Sequence, residues 1–387
     1  MWVKELSLQN FRNFDVLQVK LENRINIVFG NNANGKTNFI EAIYFCAVGR
    51  SKRAGHDKEL IQFGQNEAHL QAIIETRESR ESKETTETTE TIESIESRKP
   101  KEPEEIRKID VHLFRDGKRK GIAIDHIPIK KLSQLFGLLL VVIFTPEDLQ
   151  MIKSGPAERR AFMDVELCQL SSIYYHALRR YHKALKQRNT LLKTIPKDRG
   201  LIDTLEIWDE PLCEYGKQIM THRSAFIEEV AHIAKDIHND ITGGKENLTL
   251  EYRPQVADNY KDRLKRSIER DIATGNTSVG VHKDDIICWV NGNDVRTYGS
   301  QGQQRTAALS IKLAEIDLIK KRTGRTPILL LDDVLSELDE SRQTYLFNHI
   351  KEIQTILTCT GVEDVLKKTT GNIMEMKKGE IHGVHRR

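Results

Sequence analysis

Ile25-Asn26-Ile27-Val28-Phe29-Gly30-Asn31-Asn32-Ala33-Asn34-Gly35-Lys36-Thr37 is the stretch that decides the fold. A short apolar run of strand length passes straight into a glycine. The fixed positions Gly30, Gly35, Lys36 and Thr37 then complete the pattern of a phosphate-binding loop. Beyond Thr37 the period changes: Phe39, Ile40, Ile43, Tyr44 and Ala47 recur at helical spacing. The unit is therefore strand, loop, helix. Glycines allow the backbone to turn its N–H groups onto phosphate oxygens, and the helix N-terminus adds positive potential. Gly30, Asn31, Asn32, Ala33, Asn34 and Gly35 are the expected cradle for ATP. Lys36 is expected to reach the β- and γ-phosphates, as a binding and catalytic residue, and Thr37 to offer its hydroxyl to Mg2+.

Such a loop needs an acidic strand end beside it. Ile328-Leu329-Leu330-Leu331-Asp332-Asp333 supplies one, since a continuous apolar run marks a strand buried on both faces. Two adjacent carboxylates there are costly without a cation, and Mg·ATP provides it. Asp332 is the expected Mg2+ partner. Asp333 is the expected catalytic carboxylate, orienting or deprotonating the attacking water; the competing reading is a helix N-cap. Ahead of this strand, Ser300-Gln301-Gly302-Gln303-Gln304-Arg305 opens a helix with Ala308, Ile311, Ala314 and Leu318 on one face. A hydroxyl, a glycine and a glutamine at a helix start make a second anion site. Its economical use is the γ-phosphate held by another subunit.

Working outward, Val3, Leu6, Leu8 and then Leu17, Val19 and Leu21 alternate as half-buried strands do. Strands are expected at Ala68–Glu75 and Ile109–Phe114, separated by an acidic, Thr-rich insertion, Thr76–Lys108, whose composition predicts disorder. Asp116-Gly117 and Asn291-Gly292 read as hairpin turns. From Pro156 to about Arg270 the pattern is helical, resembling an arm folded back on itself. Arg179, Arg180, Lys183, Lys186 and Arg188 crowd its middle, and any one of them alone reads as part of a solvated face. The organisation expected is an α/β domain built from both ends, 1–154 and 271–387, with a helical arm at 155–270. The 387 residues carry a formal net charge of only +3, so nucleic-acid binding must come from local basic patches. Five dispersed cysteines suit reduced thiols rather than zinc or disulfides. The longest apolar run, Leu138 to Phe144, is strand-sized, and no leader-like segment opens the chain. A cytoplasmic protein without a membrane partner is expected.

The order phosphate loop, Ser-x-Gly-Gln, Leu-Leu-Asp-Asp, then Ser336-Glu337-Leu338-Asp339 resembles the ABC-type ATPase heads of the SMC-like group. Further stretches resemble the RecF family in particular: Leu8-Gln9-Asn10-Phe11-Arg12-Asn13-Phe14, Phe144-Thr145-Pro146-Glu147-Asp148-Leu149, Gln187-Arg188-Asn189 and His282-Lys283-Asp284-Asp285. The resemblance implies an ABC-type head with mixed β-sheets and flanking helices, plus the inserted arm. It implies that Arg12 and Asn13 lie near the nucleotide. It implies that Ser300, Gln301, Gly302 and Gln303 act across a head-to-tail homodimer, and that Asp339 lies in the loop linking its two sites. It implies a weak, DNA-stimulated ATPase of recombinational repair and replication, acting on gapped duplex or single-strand/duplex junctions. RecO and RecR are the implied partners, and RecA loading the implied outcome. Thr358–Thr360 falls where many ABC ATPases place a γ-phosphate-sensing histidine, and this chain has none there. The alternative reading is the nucleotide-binding subunit of an ABC transporter, which shares the three motifs but not the long helical insertion.

Overall fold

Residues 328–332 are apolar until the last, and all five are buried, as a strand covered on both faces requires. In the computed structural model, which describes residues 1–77, 104–149 and 151–386, this strand pairs in parallel with Val141–Phe144 and Thr355–Cys359. Thr355–Cys359 pairs in turn with Ile25–Phe29, and that strand with Asn372–Lys377, again in parallel. Glu380–Arg386 closes the six-stranded sheet antiparallel to Asn372–Lys377. The register aligns Asp332 with Thr358, Thr358 with Val28, and Cys359 with Phe29. The phosphate loop, the acidic pair and Thr358 therefore emerge at one end of the sheet, where parallel sheets carry their ligands.

A second six-stranded sheet is wholly antiparallel, in the order Phe14–Lys20, Trp2–Phe11, Glu67–Arg77, Glu104–Phe114, Gly121–Ile124 and Ile127–Pro128. Its apolar positions alternate: Leu6, Leu8, Leu70, Ala72, Val111 and Leu113 are buried, and the residues between them are mostly half-buried. The helix Lys36–Val48 packs against strands of both sheets. A helix that is apolar nearly all round needs such cover on every side.

The strands flanking the insertion are longer than their side-chain pattern indicates. Glu67–Arg77 and Glu104–Phe114 stay paired out to Arg77 opposite Glu104. The ends of the Thr76–Lys108 segment are thus strand, because an antiparallel ladder with one solvated face does not need an apolar residue at every second position. The expected disorder at 78–103 lies outside the described residues. Asn291 and Gly292, both with positive φ (51° and 78°), form the two-residue turn between Asp285–Val290 and Asn293–Asp294.

By its contacts the chain divides into two units, Met1–Pro146 with Ile316–Arg387, and Glu147–Glu315. The sequence reading drew its boundaries at 154 and 270. The second unit extends further because Leu248–Arg253 and Asp285–Val290 pair with each other in a three-stranded sheet of its own. Its core is helical: Pro156–Leu170, Ser172–Thr194 and Glu206–Thr242. Tyr174, Ala177, Tyr181, Ala184, Arg188 and Leu192 form the buried face of the middle helix. Arg188 departs from the solvated reading of its neighbours. It is completely buried, its Nε donating to Asp209 at 2.6 Å and its Nη1 to Asp271 at 2.7 Å and Thr277 at 3.0 Å. It belongs to the arm's interior and is withdrawn from any outward basic face. Arg223 does similar work, donating to Asp164, Asp284, the Tyr174 hydroxyl and the Val281 carbonyl.

Candidate active site

The phosphate loop depends on backbone shapes that side chains would block. Gly30 has φ 157°, and a Cβ there would stand 2.3 Å from the Met376 carbonyl oxygen. Gly35 has φ 104°, and a Cβ would meet the Asn13 amide at 2.5 Å. Lys36, at the first position of the helix, is buried, and its ammonium folds over the loop to donate to the Gly30 carbonyl at 2.6 Å and the Asn31 carbonyl at 3.0 Å. The side-chain cation and the helix N-terminus thus converge on the same concavity.

Beside them, Asp332 is buried at the strand end, accepting from the Thr37 hydroxyl at 3.0 Å and the Thr358 hydroxyl at 2.8 Å. Burial raises its carboxyl above the ordinary carboxylate range, against the pull of those two hydrogen bonds and the charge of Arg53. Asp333 follows with φ 52°, its N–H donating to the same Thr358 hydroxyl at 3.0 Å. Thr358 therefore holds both acidic residues, donating to one side chain and accepting from the other's backbone. Nothing in its residue type singles it out. Its place at the end of a buried strand beside the acidic one is the available signal.

The oxygen donors fit Mg2+. One buried carboxylate and one hydroxyl, 3.0 Å apart, leave the remaining positions to phosphate oxygens and water, the usual manner in which this hard cation is held with a nucleotide. Among the described residues no group of three or more His, Cys, Asp or Glu side chains could hold a metal by itself.

Two turns brace the loop from outside. Asn13, in the turn between the first two strands, donates to the Asn34 carbonyl at 3.3 Å and accepts from the Asn38 amide at 2.8 Å. The Lys378-Gly379 turn of the C-terminal hairpin contributes the Gly379 N–H, donating to the Asn34 carbonyl at 3.1 Å. The Asn34 amide donates to the Met376 carbonyl at 3.0 Å. Sequence reasoning missed this hairpin, although a glycine between two alternating runs was there to be read. Arg12 lies beside Asn13 but is directed along the helix, where its guanidinium donates to both Glu41 carboxylate oxygens, at 2.9 and 3.0 Å, and to the Glu59 carbonyl. Asp339 caps the helix Glu340–His349, accepting from the Arg342 N–H at 3.0 Å. That bond leads the influences holding its carboxyl below the usual range.

In the second unit, Ser300 and Gln303 make a reciprocal capping box. The Gln303 N–H donates to the Ser300 hydroxyl at 3.2 Å, and the Ser300 N–H to the Gln303 side-chain oxygen at 3.0 Å. Gln303 also donates to Glu246 at 2.9 Å. Ser300 and Gln301 are exposed, and Gly302 is half-buried.

A family model described as the RecF/RecN/SMC N-terminal domain matches residues 2–380. The chain is 46% identical to the DNA replication and repair protein RecF of Agathobacter rectalis over 384 residues, covering 98% of this chain and 99% of that one. It is 42% identical to the protein of the same name from Clostridium novyi over 371 residues, 94% of each. Among solved structures, that of the recombination mediator protein RecF with ATP superposes with TM-score 0.84 at 31% identity, covering 100% of this chain and 97% of that chain. An Smc head domain from Pyrococcus furiosus shares the fold, with TM-score 0.54 at 15% identity over 100% of this chain and 96% of that chain.

Proposed function

Because the chain belongs to the RecF family, we propose that it is a DNA replication and repair ATPase in which bound ATP joins two copies head to tail on DNA. The observation that carries this reading is the Thr37 hydroxyl set 3.0 Å from the Asp332 carboxylate, beside a phosphate loop over which Lys36 is already folded.

Each residue's task follows from that geometry. The loop amides and the helix start receive the β- and γ-phosphates, and Lys36 exchanges its two carbonyl partners for phosphate oxygens. Thr37 and Asp332 hold Mg2+, which when bound neutralises charge on the transferring phosphoryl group. Asp333, fixed by Thr358, orients the attacking water and accepts its proton. Ser300, Gln301, Gly302 and Gln303 of one copy close the other copy's γ-phosphate, with Asp339 in the loop between the two sites. ATP then binds the dimer in preference to the separate chains and stabilises it by that difference. Hydrolysis, slow and stimulated by DNA, removes the bridging phosphoryl group and loosens the pair.

Duplex DNA near a single-strand junction or gap lies across the joined copies, held by phosphate contacts that weaken steeply with salt. RecO and RecR are the mediators with which it supports RecA loading, in the cytoplasm. Among the described residues no helix is long and apolar enough to cross a membrane.

The deciding experiment is sedimentation of wild type and Lys36→Arg with and without ATP and gapped duplex. Wild type is expected to shift from monomer to dimer with ATP and to join DNA only then, while Lys36→Arg binds but turns over at least about tenfold more slowly. A protein that stays monomeric with ATP and ignores DNA refutes the reading.

A further inference from the structure

The arm carries an outward surface that the ATPase chemistry does not use. Six charged residues lie on the helix Ser172–Thr194, and all six are basic: Arg179, Arg180, Lys183, Lys186, Arg188 and Lys193. This happens in a chain whose basic and acidic residues, 60 and 57, nearly balance. Arg188 is accounted for by its buried carboxylates. Arg179, Lys183, Lys186 and Lys193 are all exposed, and their spacings of four, three and seven residues put them in one stripe. At 1.5 Å per residue the stripe is about 21 Å long. Among the described residues none of these four forms an ion pair. The carboxylates of Glu206 and Glu210 on the neighbouring helix are engaged by Lys261, at 2.9 and 3.9 Å. Arg180 rests on the Tyr215 ring, 5.8 Å from its centre.

We propose that this stripe docks the phosphate backbone of duplex DNA, a surface assignment that rests on the DNA-binding reading above. Like charges left unopposed along a rigid rod repel one another until a polyanion covers them. A duplex presents about six phosphates per strand over 21 Å, a linear ladder that suits four cations in a row. An acidic peptide segment fits less well, because peptide grooves use apolar anchors and the stripe has none.

The test compares wild type, Arg179→Glu/Lys183→Glu/Lys186→Glu, the corresponding triple Gln variant, and a control, Lys235→Glu/Lys245→Glu/Lys265→Glu, with the same net charge on the same unit. Each binds a short labelled duplex with ATP over a range of salt. The Glu stripe variant is expected to lose at least about 30-fold in affinity, and its slope of log affinity against log salt to flatten by about 3. The Gln variant should fall between it and wild type, and the control stay within about twofold of wild type. The stripe variant must keep its ATP-dependent sedimentation shift, which shows that it is folded. A stripe variant whose slope matches the control's overturns the proposal while leaving DNA binding intact, and a wild type blind to duplex overturns both. Unchanged duplex binding with lost affinity for a polyglutamate probe assigns the stripe to a protein partner and overturns it too.

Discussion

Thr358 shows how much one hydroxyl can control. It donates to Asp332 at 2.8 Å and accepts from the Asp333 N–H at 3.0 Å, so it fixes a carboxylate and a strained backbone together. Thr358→Val keeps the shape and removes both bonds, leaving buried polar groups short of partners at about 1–3 kcal/mol. Turnover at saturating ATP is expected to fall by about 10- to 100-fold, with ATP affinity changed far less. Equal losses in nucleotide binding and in single-turnover rate would show that the residue serves the cradle and not the chemistry. Arg188→Met is a test of stability. It strands Asp209 and Asp271 in the interior, and a loss of about 3–5 kcal/mol in denaturant unfolding is expected. Neither role could be read from the chain itself. The loop and the acidic strand end were legible because their chemistry is local: a few contiguous residues suffice. Arg188 took its meaning from Asp209 and Asp271, respectively 21 and 83 positions away, and in a basic run its burial left no trace.

Among the elements, the C-terminal hairpin braces the phosphate loop through Asn34. Gly379, at φ 84°, would place a Cβ 2.6 Å from the Asn13 carbonyl oxygen, and its N–H donates to Asn34. Gly379→Ala pushes the two bracing turns apart. Its dissociation constant for ATP should rise by about tenfold while the rate at saturation holds, a split visible in steady-state kinetics. The arm has its own titration. His282 donates through Nε2 to the Thr277 carbonyl at 2.9 Å, so its Nδ1 accepts from the Tyr181 hydroxyl at 2.8 Å, and Tyr260 donates to Tyr181 in turn. This arrangement uses the neutral ring, and burial lowers its pKa from 6.5 to about 4. The unfolded chain therefore takes up a proton that the folded arm refuses. Stability from this group is complete above pH 6.5 and drains away as the pH falls towards 4, by at most about 3 kcal/mol. Thermal unfolding followed from pH 7 to 4.5 should show that dependence, and His282→Gln should flatten it. The elements themselves were readable wherever period and length agreed, as in Lys36–Val48. The hairpin's bracing purpose was not, because its first strand pairs with residues some 346 positions earlier and only that pairing reveals it.

For the molecule as a whole, the proposed sharing of ATP by two copies predicts that binding and assembly can be separated. Ser300→Arg should leave ATP affinity within about threefold, since Ser300 belongs to neither the phosphate loop nor the acidic strand end, yet abolish the sedimentation shift. If affinity and assembly disappear together, Ser300 acts within its own chain. The central sheet also has a consequence for the protein's birth. Ile25–Phe29, which launches the cradle, is flanked on one side by Thr355–Cys359 and on the other by Asn372–Lys377. While the ribosome is still synthesising the chain, Ile25–Phe29 waits without either neighbour until Thr355–Cys359 and Asn372–Lys377 have been made. A polypeptide cut short before Thr355 is thus expected to lack a finished cradle and to fail to retain nucleotide.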